Sequence, residues 1–295
     1  MRLEPVTGGI GAEVREMDFS VSVGEQAAEE LRRALDRYLV LFVRDQRLDD
    51  RQHRAIAAQL GPPNVYPVTR ARGLDEPLEF IDDGPDSPPK ADLWHTDAAF
   101  LPEPPDLAML CHQRSPPSGG DTLWCNLYAA YDELSPPLAR FVDDLEQDLH
   151  PGETFRRAVE QQFGGGIYEQ VAEEFSGCRH PLVRVHPETG RRALYLCGAY
   201  VRGIVGLSAE ESDLVYGHLR RQLDDPNLQC RWRWREHDVA IWDERCTNHR
   251  ALSDHHPGRR RVRRCTIGAA RPIGPREAAS PDPPAAAESA RGSAA

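Results

Sequence analysis

Residues 228–234 constrain the fold most tightly. Leu228, Cys230, Trp232 and Trp234 alternate there with Gln229, Arg231 and Arg233. A period of two places the four apolar side chains on one face of a strand and the polar ones on the other. Two indoles on one face need a wide apolar layer opposite them, so this strand belongs to a sheet packed on a second layer. Short strand-like runs at 39–43, 107–111, 121–127, 181–186 and 239–242 supply the material, and Pro187-Glu188-Thr189-Gly190 reads as a hairpin turn into a return strand at 193–196. An opening strand or hairpin is expected within 1–23. Helical spacing is found at 24–38 (Ala28, Leu31, Leu35, Tyr38), at 49–59, and from a Ser208/Glu211 capping box to about residue 223. Residues 128–175 read as helical pieces, and 64–92 as a long loop of the kind that serves as a lid. Strands outnumber helices in the second half and no β-α-β rhythm appears. The expected class is mainly β (α+β), a β-sandwich or jelly roll with flanking helices, rather than a nucleotide-binding α/β sheet.

With 295 residues the chain can form one large domain, expected over 1–274. Residues 275–295 hold Pro, Ala, Ser and charge without a large apolar side chain and are expected to form a disordered tail. A formal charge of −11 argues against nucleic acid and anionic membrane as partners. No apolar run is long enough to span a bilayer, and Met1-Arg2-Leu3-Glu4-Pro5 does not open a signal peptide. Seven cysteines, none in a Cys-x-x-Cys pair, read as reduced and mostly buried thiols of a cytoplasmic protein.

The chemistry centres on Leu93-Trp94-His95-Thr96-Asp97-Ala98-Ala99-Phe100. On a strand, His95 and Asp97 would point to one face. One nitrogen and one oxygen ligand converging suit a first-row metal, and a second histidine would complete a 2-His-1-carboxylate triad with open positions. His-x-Asp alone is equally the pattern of a loop ion pair, so a third ligand must decide. His249 lies just beyond the apolar run at 239–242. His255-His256 is a rival pair, but neighbours on a strand point opposite ways. His53, His112, His150, His180, His186, His218 and His237 read as structural, and Trp232 and Trp234 as core.

Downstream, Arg259-Arg260-Arg261-Val262-Arg263-Arg264-Cys265-Thr266 would, as a strand, put Arg260, Val262, Arg264 and Thr266 on one face. Two arginines facing inward beside a metal are costly unless an anion neutralises them. Guanidinium groups bind carboxylates bidentately, so an inward arginine predicts a carboxylate-bearing ligand.

Taken together, Val43-Arg44-Asp45-Gln46, Trp94-His95-Thr96-Asp97, Gly119-Gly120-Asp121-Thr122-Leu123-Trp124, Arg231-Trp232-Arg233-Trp234, and Trp242-Asp243 through His249 to Arg264 resemble the taurine dioxygenase/2,4-dichlorophenoxyacetate dioxygenase family of Fe(II)- and 2-oxoglutarate-dependent oxygenases. The resemblance runs from about residue 3 to residue 274. It implies a double-stranded β-helix (jelly roll) core with flanking helices. It implies His95, Asp97 and His249 as iron ligands, and Thr122 and Arg260 as the anchor for the far carboxylate of 2-oxoglutarate. Arg264 would face the acidic group of the primary substrate and Tyr200 would form an aromatic wall. The positions that contact taurine in the family carry Tyr66, Thr69 and Ala91 here, and Glu244 replaces an asparagine. The iron site is kept whole while the taurine pocket is altered, which points away from taurine.

The resemblance further implies that 2-oxoglutarate and O2 fill the open iron positions. Oxidative decarboxylation would release succinate and CO2, and a substrate C–H bond would be hydroxylated. Where the new hydroxyl shares a carbon with an acidic or ether group, the product would collapse to an aldehyde or ketone. A carboxylate at Asp97 implies hydroxylation rather than halogenation. The expected substrate is a small anionic organic molecule, such as a phosphorylated or carboxylated biosynthetic intermediate, with a sulfonate or alkyl sulfate ester as alternative. By family analogy the chain would be a homodimer or tetramer. A cupin-like metal-dependent hydrolase or isomerase would use the same triad without the Thr122/Arg260 anchor, and a non-catalytic jelly-roll binding protein would not need the triad.

Overall fold

The computed structural model describes residues 1–21, 23–89 and 91–280. Its larger sheet has seven strands in the order β1 (Arg2–Pro5), β2 (Ala12–Arg15), β3 (Val40–Val43), β13 (Val239–Asp243), β5 (Leu107–Arg114), β15 (Arg260–Ile267) and β4 (Glu79–Asp83). A three-stranded sheet has the order β12 (Gln229–Trp232), β6 (Thr122–Asn126), β14 (Thr247–Ala251). A further three strands, β11 (Val201–Ile204), β7 (Glu146–Leu149) and β8 (Cys178–Pro181), and the hairpin β9 (Val183–Val185) with β10 (Arg192–Leu194) complete the β structure of the described residues. Only the β2–β3 pairing is parallel.

The central strand β13 is buried on both faces, and its alternation sorts the core. Ala240 and Trp242 point with Val40, Phe42, Ala108 and Leu110 towards the smaller sheet. Val239 and Ile241 point the other way, with Leu41, Met109 and Cys111, against α1 (Glu25–Tyr38) and α2 (Asp50–Leu60). The period-two strand behaves as its sequence predicts: Cys230, Trp232 and Trp234 are buried while Arg231 and Arg233 are exposed. Phe42 stacks on Trp232 at 4.1 Å between centroids and meets Trp124 edge-on at 5.3 Å, so aromatic rings fill the space between the two sheets.

The expected capping box at Ser208 forms, and a second one stands at Asp49. Asp49 starts α2 by accepting from the Gln52 N–H, and Ser208 starts α8 (Ala209–Arg220) by accepting from that of Glu211. The remaining helices are α3 (Pro67–Ala71), α4 (Leu127–Asp132), α5 (Pro136–Val142), α6 (Gly152–Phe163), α7 (Ile167–Val171) and α9 (Pro275–Ala278).

Three expectations need correction. Residues 64–92 are not one loop, because they contain α3 and β4. Strand β4 is polar in sequence and exists because β15 offers it a pairing edge, with Arg260 opposite Asp83 and Arg264 opposite Glu79. Residues 128–175 contain β7, whose buried Gln147 donates to the carbonyl of Tyr195. The tail does not begin at 275: Pro275 is buried, α9 packs beside β9, and Val185 donates to Ile273 O at 2.8 Å. Residues 281–295 of the expected tail lie outside the described residues. All seven cysteines are free thiols, six of them buried, and no described helix is long and apolar enough to cross a membrane.

Two buried histidines set an acid limit on this fold. Burial first, and then the Arg263 charge, hold His53 down at about 3; burial holds His180 down at about 4. In the unfolded chain both return to about 6.5. Below that pH the unfolded state binds protons that the native state refuses, so stability is fully present above about pH 6.5 and declines as the pH falls towards 4. The slope should approach about 1.4 kcal/mol per pH unit for each histidine. Urea unfolding between pH 7 and 4.5 measures it, and His53→Gln should remove about one proton from the slope. An unchanged slope in that variant would refute the assignment.

Candidate active site

His95, Asp97 and His249 converge at the inner end of a cavity of about 1750 Å³. Their ligand atoms all lie within 4.8 Å of one another. Asp97 Oδ1 stands 3.7 Å from His95 Nε2 and 3.8 Å from His249 Nε2. The convergence is built differently from the expected strand alternation. His95 forms a single antiparallel bridge to His249, exchanging N–H···O bonds of 3.0 and 2.9 Å with it. The chain then leaves extended geometry: Asp97 begins a turn and Ala98 adopts φ +49°. The bridge, not a regular strand, brings the two imidazoles to 4.2 Å between centroids.

Electrostatics prepare the three groups as metal ligands. His95 Nδ1 lies 2.7 Å from the Leu93 carbonyl, which can only accept, so Nδ1 carries a proton and Nε2 is the nitrogen on the Asp97 side. Burial, then His95, lower His249 to about 3, so it is neutral at physiological pH. Burial on its own would raise Asp97, but Arg264, His249 and His95 outweigh it and bring its carboxyl down to about 2. Two imidazoles and one carboxylate on a common point form a donor set suited to a divalent first-row metal, with open positions towards the cavity.

The layer behind this triad includes a residue that its sequence position did not identify. Glu244 is fully buried; its Oε2 accepts the Asp97 N–H at 3.1 Å and its Oε1 accepts Trp242 Nε1 at 2.6 Å. Its Oε1 also lies 3.9 Å from His249 Nδ1, a buried nitrogen without a hydrogen-bond partner. Burial first, and the neighbouring Asp97 second, push Glu244 well above the usual carboxylate range. Glu244→Leu orphans two buried N–H donors and should cost about 2–4 kcal/mol. Loss of this support should also weaken metal binding about 10–100-fold. Urea unfolding and a metal titration check the two effects separately.

Thr122, Arg260 and Arg264 line the same cavity, as do Tyr66, Thr69, Ala91 and Tyr200. Arg260, Arg264 and Thr266 share the inward face of β15, as the alternation predicts, while Arg263 on the outer face binds Asp50 and donates to His53 Nδ1 at 3.0 Å. The two inward arginines differ. Arg260 is buried with one acceptor, Asp83 Oδ2 at 3.3 Å, and its Nε has no partner. His255 Nε2, 3.7 Å from the same Asp83 oxygen, is also unpartnered. Thr122 Oγ1 accepts from Trp234 Nε1 at 2.9 Å, which leaves the hydroxyl hydrogen free to donate. This end of the cavity therefore offers an under-satisfied guanidinium and a hydroxyl, the chemistry that receives a carboxylate. Trp234, read as core from sequence, is buried but also lines the cavity.

The Gly119-Gly120 turn makes room for this arrangement. A Cβ on Gly120, at φ +73°, would stand 3.3 Å from both Arg260 Cδ and His255 Nδ1, and one on Gly119 would stand 2.7 Å from Asp254 Oδ1. Arg264, by contrast, is fully engaged by protein. Its Nε and Nη2 donate to Glu79 Oε2 at 3.1 and 2.8 Å, and its Nη1 donates to both Asp97 oxygens at 2.6 Å. The anion required by an inward arginine is thus supplied once at Arg260, by Asp83 at 3.3 Å, and twice at Arg264, by Glu79 and Asp97. Asp83 and Glu79 were hidden in a stretch that reads as loop, and only their register opposite Arg260 and Arg264 could have revealed them.

The cavity also has apolar lining. Leu101, Phe155, Val159 and Phe163 face it, and Tyr200 packs edge-on against Phe100 at 4.8 Å. Behind Tyr200, the chain passes close to the triad at Gly198, where a Cβ would stand 2.1 Å from Trp94 O.

Comparison with known proteins identifies the family of the chain. The family described as taurine catabolism dioxygenase TauD, TfdA family, matches residues 2–266. An alpha-ketoglutarate-dependent sulfate ester dioxygenase of Pseudomonas putida is 35% identical over 277 residues, covering 92% of this chain and 91% of the relative. An alkylsulfatase of Acinetobacter baylyi is 33% identical, covering 90% and 84%. The crystal structure of a taurine dioxygenase from Burkholderia xenovorans superposes with a TM-score of 0.77 at 31% identity, covering 93% of each chain. Its sequence and its fold place this chain in the TauD/TfdA family of dioxygenases, enzymes that use Fe(II), 2-oxoglutarate (alpha-ketoglutarate) and O2.

Proposed function

We propose that this dioxygenase hydroxylates a C–H bond of a small organic substrate, holding Fe(II) on His95, Asp97 and His249 and 2-oxoglutarate between the metal, Thr122 and Arg260. The observation that carries the reading is the pairing of a preformed two-imidazole, one-carboxylate cluster with an under-satisfied buried arginine in one cavity. A hydrolase or isomerase would use the cluster but has no need of the arginine. We read residues 1–274 as the catalytic domain. We also read the two facing sheets as its jelly-roll core, supported by the aromatic packing between them.

When bound, the iron couples decarboxylation of 2-oxoglutarate to activation of O2 for attack on the substrate. The chain's own residues do the rest. Arg260 and Thr122 fix the far carboxylate of the co-substrate and so its register on the metal. Glu244 and the His95–His249 bridge hold the ligands in place without substrate, which reduces reorganisation. The apolar wall of Leu101, Phe155, Val159 and Tyr200 positions the substrate body and excludes water.

Succinate formation from 2-oxoglutarate tests the reading. It should require Fe(II) and O2 and disappear in Asp97→Ala. Metal-loaded wild-type protein that forms no succinate with any substrate tried would favour the hydrolase. A second reading, in which the substrate is an anion such as a sulfate ester, draws on the 35% identical relative. It relies on Arg264, the arginine that Glu79 and Asp97 engage.

A further inference from the structure

Glu79 and Arg264 face each other across the β4–β15 pairing. A guanidinium has five N–H donors. Arg264 directs its Nε–Nη2 edge to Glu79, and its Nη1 lies against Asp97. That edge is one by which a guanidinium grips a sulfate, sulfonate or carboxylate bidentately, and Glu79 already fills it. The charges point the same way. The Glu79 carboxylate already balances the Arg264 guanidinium, and both are less than a quarter exposed, where like charges repel strongly. An anionic group arriving here would meet a balanced ion pair instead of a free cation.

Two further arginines along the cavity are paired as well: Arg70 with Glu174 at 2.5 Å and Arg271 with Glu277. Tyr66 and Tyr200 lie close enough to Arg264 to feel its charge. Burial pushes Tyr66 far above the ordinary phenol range and raises Tyr200 too, so both stay uncharged. Neither the iron ligands nor the Arg260 anchor requires Glu79, which contacts only Arg264 among the side chains of the site.

We infer that Glu79 is a specificity-determining residue: by occupying Arg264 it sets the site against an anionic headgroup, and the part of the substrate that lies beside Arg264 carries no fixed negative charge. The inference rests on the dioxygenase reading and names the substrate class of that same site. It assigns Arg264 to holding Asp97 rather than to gripping substrate.

A matched pair of probes tests it. Hexane-1-sulfonate and hexyl methyl sulfone share the chain and the sulfonyl group and differ by an anionic oxygen against a methyl. Each is titrated anaerobically into the Fe(II)·2-oxoglutarate complex, following the visible charge-transfer band, in wild type, Glu79→Gln and Glu79→Ala. In wild type the sulfone should bind at least about tenfold more tightly than the sulfonate, and removing the Glu79 charge should raise sulfonate affinity at least about tenfold with little change for the sulfone. Sulfonate binding to wild type as tightly as the sulfone, or unchanged by both substitutions, would overturn the inference. The wild-type comparison stands even where a variant fails to fold. Absence of the band in wild type would instead count against the dioxygenase reading, so the two failures are distinguishable.

Discussion

Replacing His249 by Ala is expected to abolish iron binding and succinate formation while leaving the fold intact. The imidazole is one of three ligand atoms on a common point, and a remaining His-carboxylate pair cannot hold a divalent metal in a defined geometry. The loss in metal affinity should exceed the about 10–100-fold typical of removing an outer partner. Stability should change little, because burial already disfavours this histidine's charged form and its Nδ1 makes no hydrogen bond. Metal content by atomic absorption, succinate by chromatography and a urea unfolding curve separate the effects. Iron retained at one per chain would remove His249 from the site.

Arg260→Leu should raise the KM for 2-oxoglutarate far more than it lowers kcat at saturation. Arg260 lines the cavity with Asp83 as its one side-chain acceptor, and truncating one partner of a buried charged pair costs about 2–5 kcal/mol, or about 30-fold to several thousand-fold in affinity. The variant also leaves Asp83 buried without its cation, so Arg260→Lys is the companion: it keeps the charge, loses the fork, and should fall between wild type and Leu. A KM unchanged in both would move the co-substrate anchor elsewhere. Equal losses in kcat and kcat/KM would mean that Arg260 acts on the reaction barrier and not on co-substrate binding.

How much of this was legible in the sequence depends on whether a feature is local. The capping box at Ser208, the alternation at 228–234 and the inward face of β15 follow from local residue pattern, and the structure contains each of them. The triad was legible through its residue types and through the family motif. The reason given for it was not the one the structure uses: His95 and Asp97 converge through one bridge and a turn, not through strand alternation. Features created by pairing were hidden. Strand β4 has Glu79, Asp82 and Asp83 among its five residues, and no propensity scale would name it a strand. It forms because β15 presents an edge, and only that register places Glu79 on Arg264 and Asp83 on Arg260. Glu244 was visible as a departure from the family motif. Its two buried hydrogen bonds depend on residues brought together by folding. An inward arginine signals the need for an anion, but sequence cannot say whether ligand or protein supplies it.

The central claim is that one iron and one molecule of 2-oxoglutarate share the cavity on the His95–Asp97–His249 face. The most direct test is the visible spectrum of the purified protein under anaerobic conditions, recorded on adding Fe(II) and then 2-oxoglutarate. A weak metal-to-ligand charge-transfer band should appear only when both are present, saturate at one equivalent of each, and be lost in His249→Ala. A metal-replete wild-type protein that develops no band with excess 2-oxoglutarate would contradict the account.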